Sequence, residues 1–180
     1  STWNASLEKE LISVFPRAEI ISMSYGKPYN YLTEPLQIKI KYKIPDYAIV
    51  TAEEMIFTPL VMSNIFKRAM SHLYIETSLE NRKYQFRDRC SRWVQLGETV
   101  ILPENFSVVY APETPMVSGT GASFKGGYAF AEKSVSVSQS LKFNKRVYNP
   151  EDWGSFREAV KTQNKIAEEP VILKIEKPIK

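Results

Sequence analysis

The C-terminal tail constrains the fold most. From Val135 the chain alternates small, polar and apolar residues as far as Lys142, runs on through Phe143-Asn-Lys-Arg-Val147, then breaks at Asn149-Pro150 and continues through Glu151-Asp-Trp153. Trp153, Phe156, Val160 and Ile166 fall at helical spacing, so 150–168 is expected to be an amphipathic helix with these side chains inward. Period two returns at Val171-Ile-Leu-Lys-Ile175. A long strand over 135–147, a helix opened by proline and a final strand make a closing unit for a sheet domain, because a one-sided helix must cover its apolar stripe.

The clearest strand lies over 36–44. Leu36, Ile38, Ile40, Tyr42 and Ile44 alternate with Gln37, Lys39, Lys41 and Lys43, which puts one face on a core and the other in water. One-sided strands of this kind belong to antiparallel sheets. Upstream, Leu7, Leu11, Ile12 and Phe15 predict a short helix capped at Asn4 or Ser6 and stopped by Pro16. A strand at 18–24 and a turn at 25–30 follow. Further strands are expected at 47–51, 54–58, 73–77, 83–86, 91–96, 99–102 and 106–110, with helical character at 63–71. Gly119, Gly121, Gly126 and Gly127 mark a hairpin or flexible loop near 123–131. Many short strands, few helices and eleven prolines point to an all-β fold. The expected architecture is an antiparallel β-sandwich, immunoglobulin- or jelly-roll-like, with a short N-terminal helix and a C-terminal helix. No repeat or linker interrupts it, so 1–180 reads as a single domain.

The 180 residues suffice to bury a core without staples. The net charge of +4 is mild, unlike the concentrated basic stripe of nucleic-acid binders. One cysteine excludes an internal disulfide and a cysteine-based zinc site. The longest apolar run, near 44–60, is interrupted by Pro45, Asp46, Glu53, Glu54 and Pro59, so no membrane insertion is expected. The chain begins without an initiator Met or a signal pattern, so Ser1 reads as a cut into a longer protein and the chain as an excised fragment.

Candidate chemistry is sparse. His72 and Cys90 are the sole histidine and cysteine, and Asp88 is a candidate to orient the imidazole, so a nucleophilic pair stays open at the level of sequence. Cys90 has no glycine-bounded elbow around it, and a free cysteine in a strand reads better as a small core residue. Glu76 follows His72 by four residues, about 13 Å along a strand, which is no ligand pair. Gly121-Ala-Ser-Phe-Lys-Gly126 has phosphate-loop spacing, but Gly127-Tyr128 stands where lysine and serine or threonine are needed. A turn between strands is the better reading. Arg82, Lys83, Arg87, Arg89 and Arg92 form the densest basic segment. On one extended face they suit a carboxylate polymer, a phosphate or an acidic protein surface; otherwise they are a solvated strand edge. Trp93 and Tyr84 are candidates for stacking on sugar rings, yet with Tyr42 and Tyr128 they sit in strand patterns where burial is expected.

A family resemblance rests on several segments in order. They are Ala18-Glu-Ile-Ile-Ser-Met23, Glu34-Pro-Leu-Gln-Ile-Lys-Ile-Lys-Tyr42, Glu80-Asn-Arg-Lys-Tyr84 and Val100-Ile-Leu-Pro-Glu104. Arg146-Val-Tyr-Asn-Pro-Glu-Asp-Trp-Gly-Ser-Phe-Arg157 and Pro170-Val-Ile-Leu-Lys174 complete the series. Over residues 11–174 the chain resembles the C-terminal domain of transglutaminase-like proteins of Gram-negative bacteria. The resemblance implies a β-rich N-terminal domain and a transglutaminase/protease-like core upstream, with this β-sandwich of unknown function closing the chain. It places the Cys-His-Asp set in that core; here His72 precedes Cys90, the reverse order, so no catalytic, cofactor-binding or metal residue is carried over. It also implies export to the periplasm or cell envelope. The expected role is a non-catalytic accessory domain that packs on or positions the transglutaminase-like domain of the same chain, or mediates protein interaction, with no cofactor and no nucleic acid. The alternative is a glycan or cell-wall-polymer binding module. The exposure of Trp93, Tyr84 and the arginines distinguishes the two.

Overall fold

A computed structural model describes residues 2–30, 32–62, 76–88 and 91–176. They fall into two compact units, Ser1–Tyr47 and Ala48–Lys180.

In the first unit, helix α1 (Thr2–Val14) buries Leu7 and Leu11, one turn apart on one face. It starts before Asn4 and Ser6, so neither is its cap; the Ser6 hydroxyl instead donates to the Thr2 carbonyl at 2.9 Å within the first turn. Pro16 ends the helix as expected. Strand β1 (Glu19–Tyr25) pairs antiparallel with β2 (Ile38–Lys43). Along β2 the half-buried Ile38, Ile40 and Tyr42 alternate with exposed lysines, the period read from the sequence.

The second unit is built from antiparallel strands. One sheet has the order β3 (Ile49–Val50), β4 (Glu54–Phe57), β11 (Val171–Ile175) and β7 (Phe106–Tyr110). Another has the order β6 (Arg92–Ile101), β9 (Ser134–Phe143) and β8 (Ala122–Ala131). A short pair joins β5 (Phe86–Arg87) to β10 (Val147–Tyr148). Helix α2 (Trp153–Glu168) follows a 3-10 turn, Pro150–Asp152. The fold is all-β and sandwich-like, with helices near both ends of the chain, as the sequence predicts.

Several boundaries differ. The strands expected at 91–96 and 99–102 are one strand, β6, because Gly97 stays in register opposite Ser138. Residues 123–131 are not a loop but most of β8, with Gly126 and Gly127 paired to Gln139 and Ser138. The long strand expected over 135–147 ends at Phe143, and Val147 begins a different sheet pair. The strand expected at 83–86 is reduced to Phe86–Arg87. The helical segment at 63–71 and most of the strand at 73–77 lie outside the described residues.

The core sits between α2 and the three-stranded sheet. Trp153, Phe156, Ala159, Val160 and Ile166 meet Ala122, Phe124, Val137, Leu141, Phe143 and Tyr148, all buried. Phe156 is the hub, with ring centroids of Phe143, Tyr148 and Phe86 at 4.9, 5.0 and 5.1 Å. Truncating such a ring costs about 3–5 kcal/mol through lost contacts and the cavity left behind.

What aims α2 at this sheet is the turn before it. Asp152 is buried, and its carboxylate accepts hydrogen bonds from Lys145 Nζ at 2.7 and 2.9 Å, Thr120 Oγ1 at 2.9 Å and the Asn149 amide at 3.0 Å. The Lys145 ammonium, above all, holds this carboxyl below the usual aspartate range. Gly121 approaches the same turn so closely that a Cβ there would lie 2.5 Å from the Asp152 carbonyl oxygen and 3.0 Å from Ser155 Oγ. Its amide donates to Ser155 Oγ at 3.0 Å. The glycines before β8 therefore permit a contact with the helix start.

Two outcomes follow. Gly121→Ala must push the loop off the helix start and should lower stability by about 1–3 kcal/mol, read as a reduced thermal midpoint. Asp152→Asn should cost about 2–4 kcal/mol at neutral pH, because it strips Lys145 of its counter-charge. The folded carboxyl titrates below the unfolded one, so the wild-type advantage is present above the unfolded value and lost as pH falls through the folded value. Denaturant melts of both proteins should converge in acid; an unchanged gap there would contradict this role.

Candidate functional site

The described members of the basic segment do not form one face. Arg82 lies half-buried with its guanidinium carbon 4.3 Å from the Trp153 ring centroid and 4.6 Å from that of Phe86. Those rings are mutually perpendicular at 5.5 Å, so Arg82 occupies the corner between them. Each wall is fixed. The Trp153 indole Nε1 donates to the Leu79 carbonyl at 3.0 Å, and Phe86 stacks on Tyr148 at 4.7 Å through the β5–β10 pairing. One helical turn past Trp153, Arg157 Nε donates to the Thr77 carbonyl at 2.8 Å. Arg92 turns away to pair with Asp88 and lies over Phe143. Lys83 and Arg87 are exposed, and Arg89 lies outside the described residues.

Asp88 is thus engaged by an arginine. His72 and Cys90 both lie outside the described residues. Among the described residues no group of three or more histidine, cysteine, aspartate or glutamate side chains is placed to hold a metal ion. Buried polar groups beneath α2 are instead tied to the turn Leu60–Met62. Gln139 Nε2 donates to the Val61 carbonyl at 2.6 Å, and the Val61 amide donates to Glu98 at 3.0 Å. On the same sheet face the Tyr128 hydroxyl is buried without a hydrogen-bond partner, and its pKa is pushed up to about 12, first by burial and then by the Glu98 charge.

The exposed aromatics overturn the core assignment. Trp93 is 60% and Tyr84 81% exposed. On β6 the residues Arg92, Val94, Leu96, Glu98 and Val100 turn inward, which sends Trp93, Gln95, Gly97, Thr99 and Ile101 outward. That division was readable from the apolar residues at alternate positions. The outer face continues across β9 as Ser134, Ser136, Ser138, Ser140 and Lys142. Trp93 Nε1 donates to Ser140 Oγ at 2.8 Å, and the Thr99 and Ser136 hydroxyls bond at 2.9 Å. The result is a hydroxyl-rich face with one anchored, exposed indole. Tyr42 and Tyr128 are half-buried. A separate open groove of about 790 Å³ runs between β7 and the β8–β9 turn; at its rim Glu104 pairs with Lys133 at 3.3 Å.

Because its hydroxyl gains no bond, Tyr128→Phe should be neutral or up to about 1 kcal/mol stabilising. The wild-type phenol stays protonated when folded but ionises near pH 10 when unfolded, so wild-type stability falls from about pH 10 upward. Melts between pH 9 and about 11 should show a shallower decline for the variant; equal declines would contradict this assignment.

No curated protein matches the chain. A crystal structure of a protein from Parabacteroides distasonis ATCC 8503, provisionally described as a protease, is similar in fold, with a TM-score of 0.53 and 12% identity. The likeness covers 70% of this chain and 24% of that one, so the present chain spans about a quarter of that protein. At this identity the likeness is one of fold. The model of DUF3858, a domain of unknown function with solved structure, matches residues 53–173, most of the second unit and more than half of the whole. The chain therefore belongs to the DUF3858 family.

Proposed function

We propose that this chain is a non-catalytic accessory module that flanks and positions a transglutaminase-like, cysteine-protease-related domain of the same longer polypeptide, exported to the cell envelope. The observation that carries the reading is the fold likeness to about a quarter of a longer chain provisionally described as a protease. The ordered segments from Ala18 to Lys174 that resemble the closing domain of transglutaminase-like proteins support a neighbour of that kind. The disposition of polar groups agrees with it. Asp152, Asp88 and Glu98 are occupied in holding the helix start, Arg92 and the turn at Val61.

Two activities test it: hydrolysis of casein, and amine transfer onto glutamine-bearing protein. The isolated chain should be inert in both. In the longer polypeptide that this reading requires, deleting the segment should lower activity by about tenfold or more, through lost positioning of the catalytic domain. Turnover by the isolated chain, or full activity and stability after deletion, would overturn the proposal.

The exposure of Trp93 and Tyr84 favours a second reading, binding of a glycan or cell-wall polymer by stacking. Under that reading insoluble peptidoglycan depletes the chain from solution and Trp93→Ala abolishes depletion. No depletion by wild type would remove it.

A further inference from the structure

We propose that Arg82, held in the corner between Phe86 and Trp153, is a docking point for a carboxylate side chain on a neighbouring protein domain. Three buried or half-buried cations in this unit show how such charges are normally satisfied. Lys145 pairs with Asp152, Arg92 pairs with Asp88, and Arg157 gives its Nε to the Thr77 carbonyl. Arg82, by contrast, has two aromatic walls and, among the described residues, no hydrogen bond. Its Nε is buried and bonded to nothing, while the residue as a whole is only half-buried. Cation–π contact with the two rings compensates part of the desolvation and fixes the plane of the group.

That geometry selects the ligand class. A guanidinium whose rotamer is already set loses little entropy on binding, and its fork matches a planar carboxylate through two parallel hydrogen bonds. The surroundings select a protein rather than a free ion. Leu79, whose carbonyl anchors Trp153, is 52% exposed; Tyr84, two residues beyond Arg82, is 81% exposed; Val147, paired with Arg87, is 48% exposed. Arginine and tyrosine among exposed aliphatic residues is the composition of interface centres. The identity of the partner as a domain of the same polypeptide rests on the accessory reading; the carboxylate chemistry of Arg82 does not.

The test is an NMR titration of the full 180-residue chain with acetate, inorganic phosphate and chloride at constant ionic strength, following the arginine side-chain and tryptophan indole signals. Acetate should shift Arg82 and the Trp153 indole saturably, while the exposed Arg87 shifts weakly and without saturation. Arg82→Gln should abolish the Trp153 response. Arg82→Lys, which keeps charge and stem but loses the fork, should weaken it by about tenfold or more, and serves if the glutamine variant does not fold. A response to phosphate but not acetate, or an Arg82 that responds no differently from Arg87, would overturn the proposal. If acetate saturates Arg82 while the isolated chain turns over casein, the docking chemistry stands and the accessory reading falls.

Discussion

One buried carboxylate organises the larger unit. Asp152 gathers Lys145 from the β9–β10 connection, Thr120 from the loop before β8 and the Asn149 amide from its own turn. Three stretches of chain thus meet at the first residue before α2. The pair with Lys145 is only partly shielded, since the lysine side chain is 41% exposed. Its net worth against an apolar replacement is small, but removing one partner strands the other, so the arrangement acts chiefly to specify where the helix begins. With that point fixed, Trp153 and Phe156 enter the sheet face on the next turn, and the apolar stripe of α2 follows.

The same turn sets the surface chemistry. Trp153 faces two ways: it packs on Phe156 inside the core, and it forms one wall of the Arg82 corner. Its indole nitrogen also anchors the chain at Leu79. The aromatic corner is therefore an extension of the core, rigid because the core is rigid. The proposed docking of a carboxylate at Arg82 relies on this rigidity to hold the charged fork in place.

Much of this was legible in the sequence where periodicity and burial coincide. The inward face of α2, the strands Phe106–Tyr110 and Val171–Ile175, and the alternation of β2 all follow from spacing alone. The glycines were harder. Gly119 and Gly121 read as turn formers because their reason lies across space, in Asp152 and Ser155. Trp93 was misplaced because aromatic character suggested burial, whereas Val94, Leu96 and Val100 already claimed the inner face of β6. The basic segment looked continuous along the chain, but a chain that passes from an irregular strap through β5 to β6 distributes its arginines among separate partners. Arg82 carried no local signal, since both rings that hold it are set by tertiary pairing.

Family membership and fold likeness place the chain among domains of unknown function, one of whose structural neighbours is a longer protein provisionally described as a protease. The physical content beneath that statement is the dependence of the unit on the start of α2. Native-state hydrogen exchange tests this dependence most directly. If Asp152 locks helix and sheet together, amides of Trp153–Glu168 and of the β8–β9 pairing should be the slowest in the chain and open with a single common free energy. Exchange of the α2 amides through a separate, lower-energy opening while β8–β9 stays protected would contradict it.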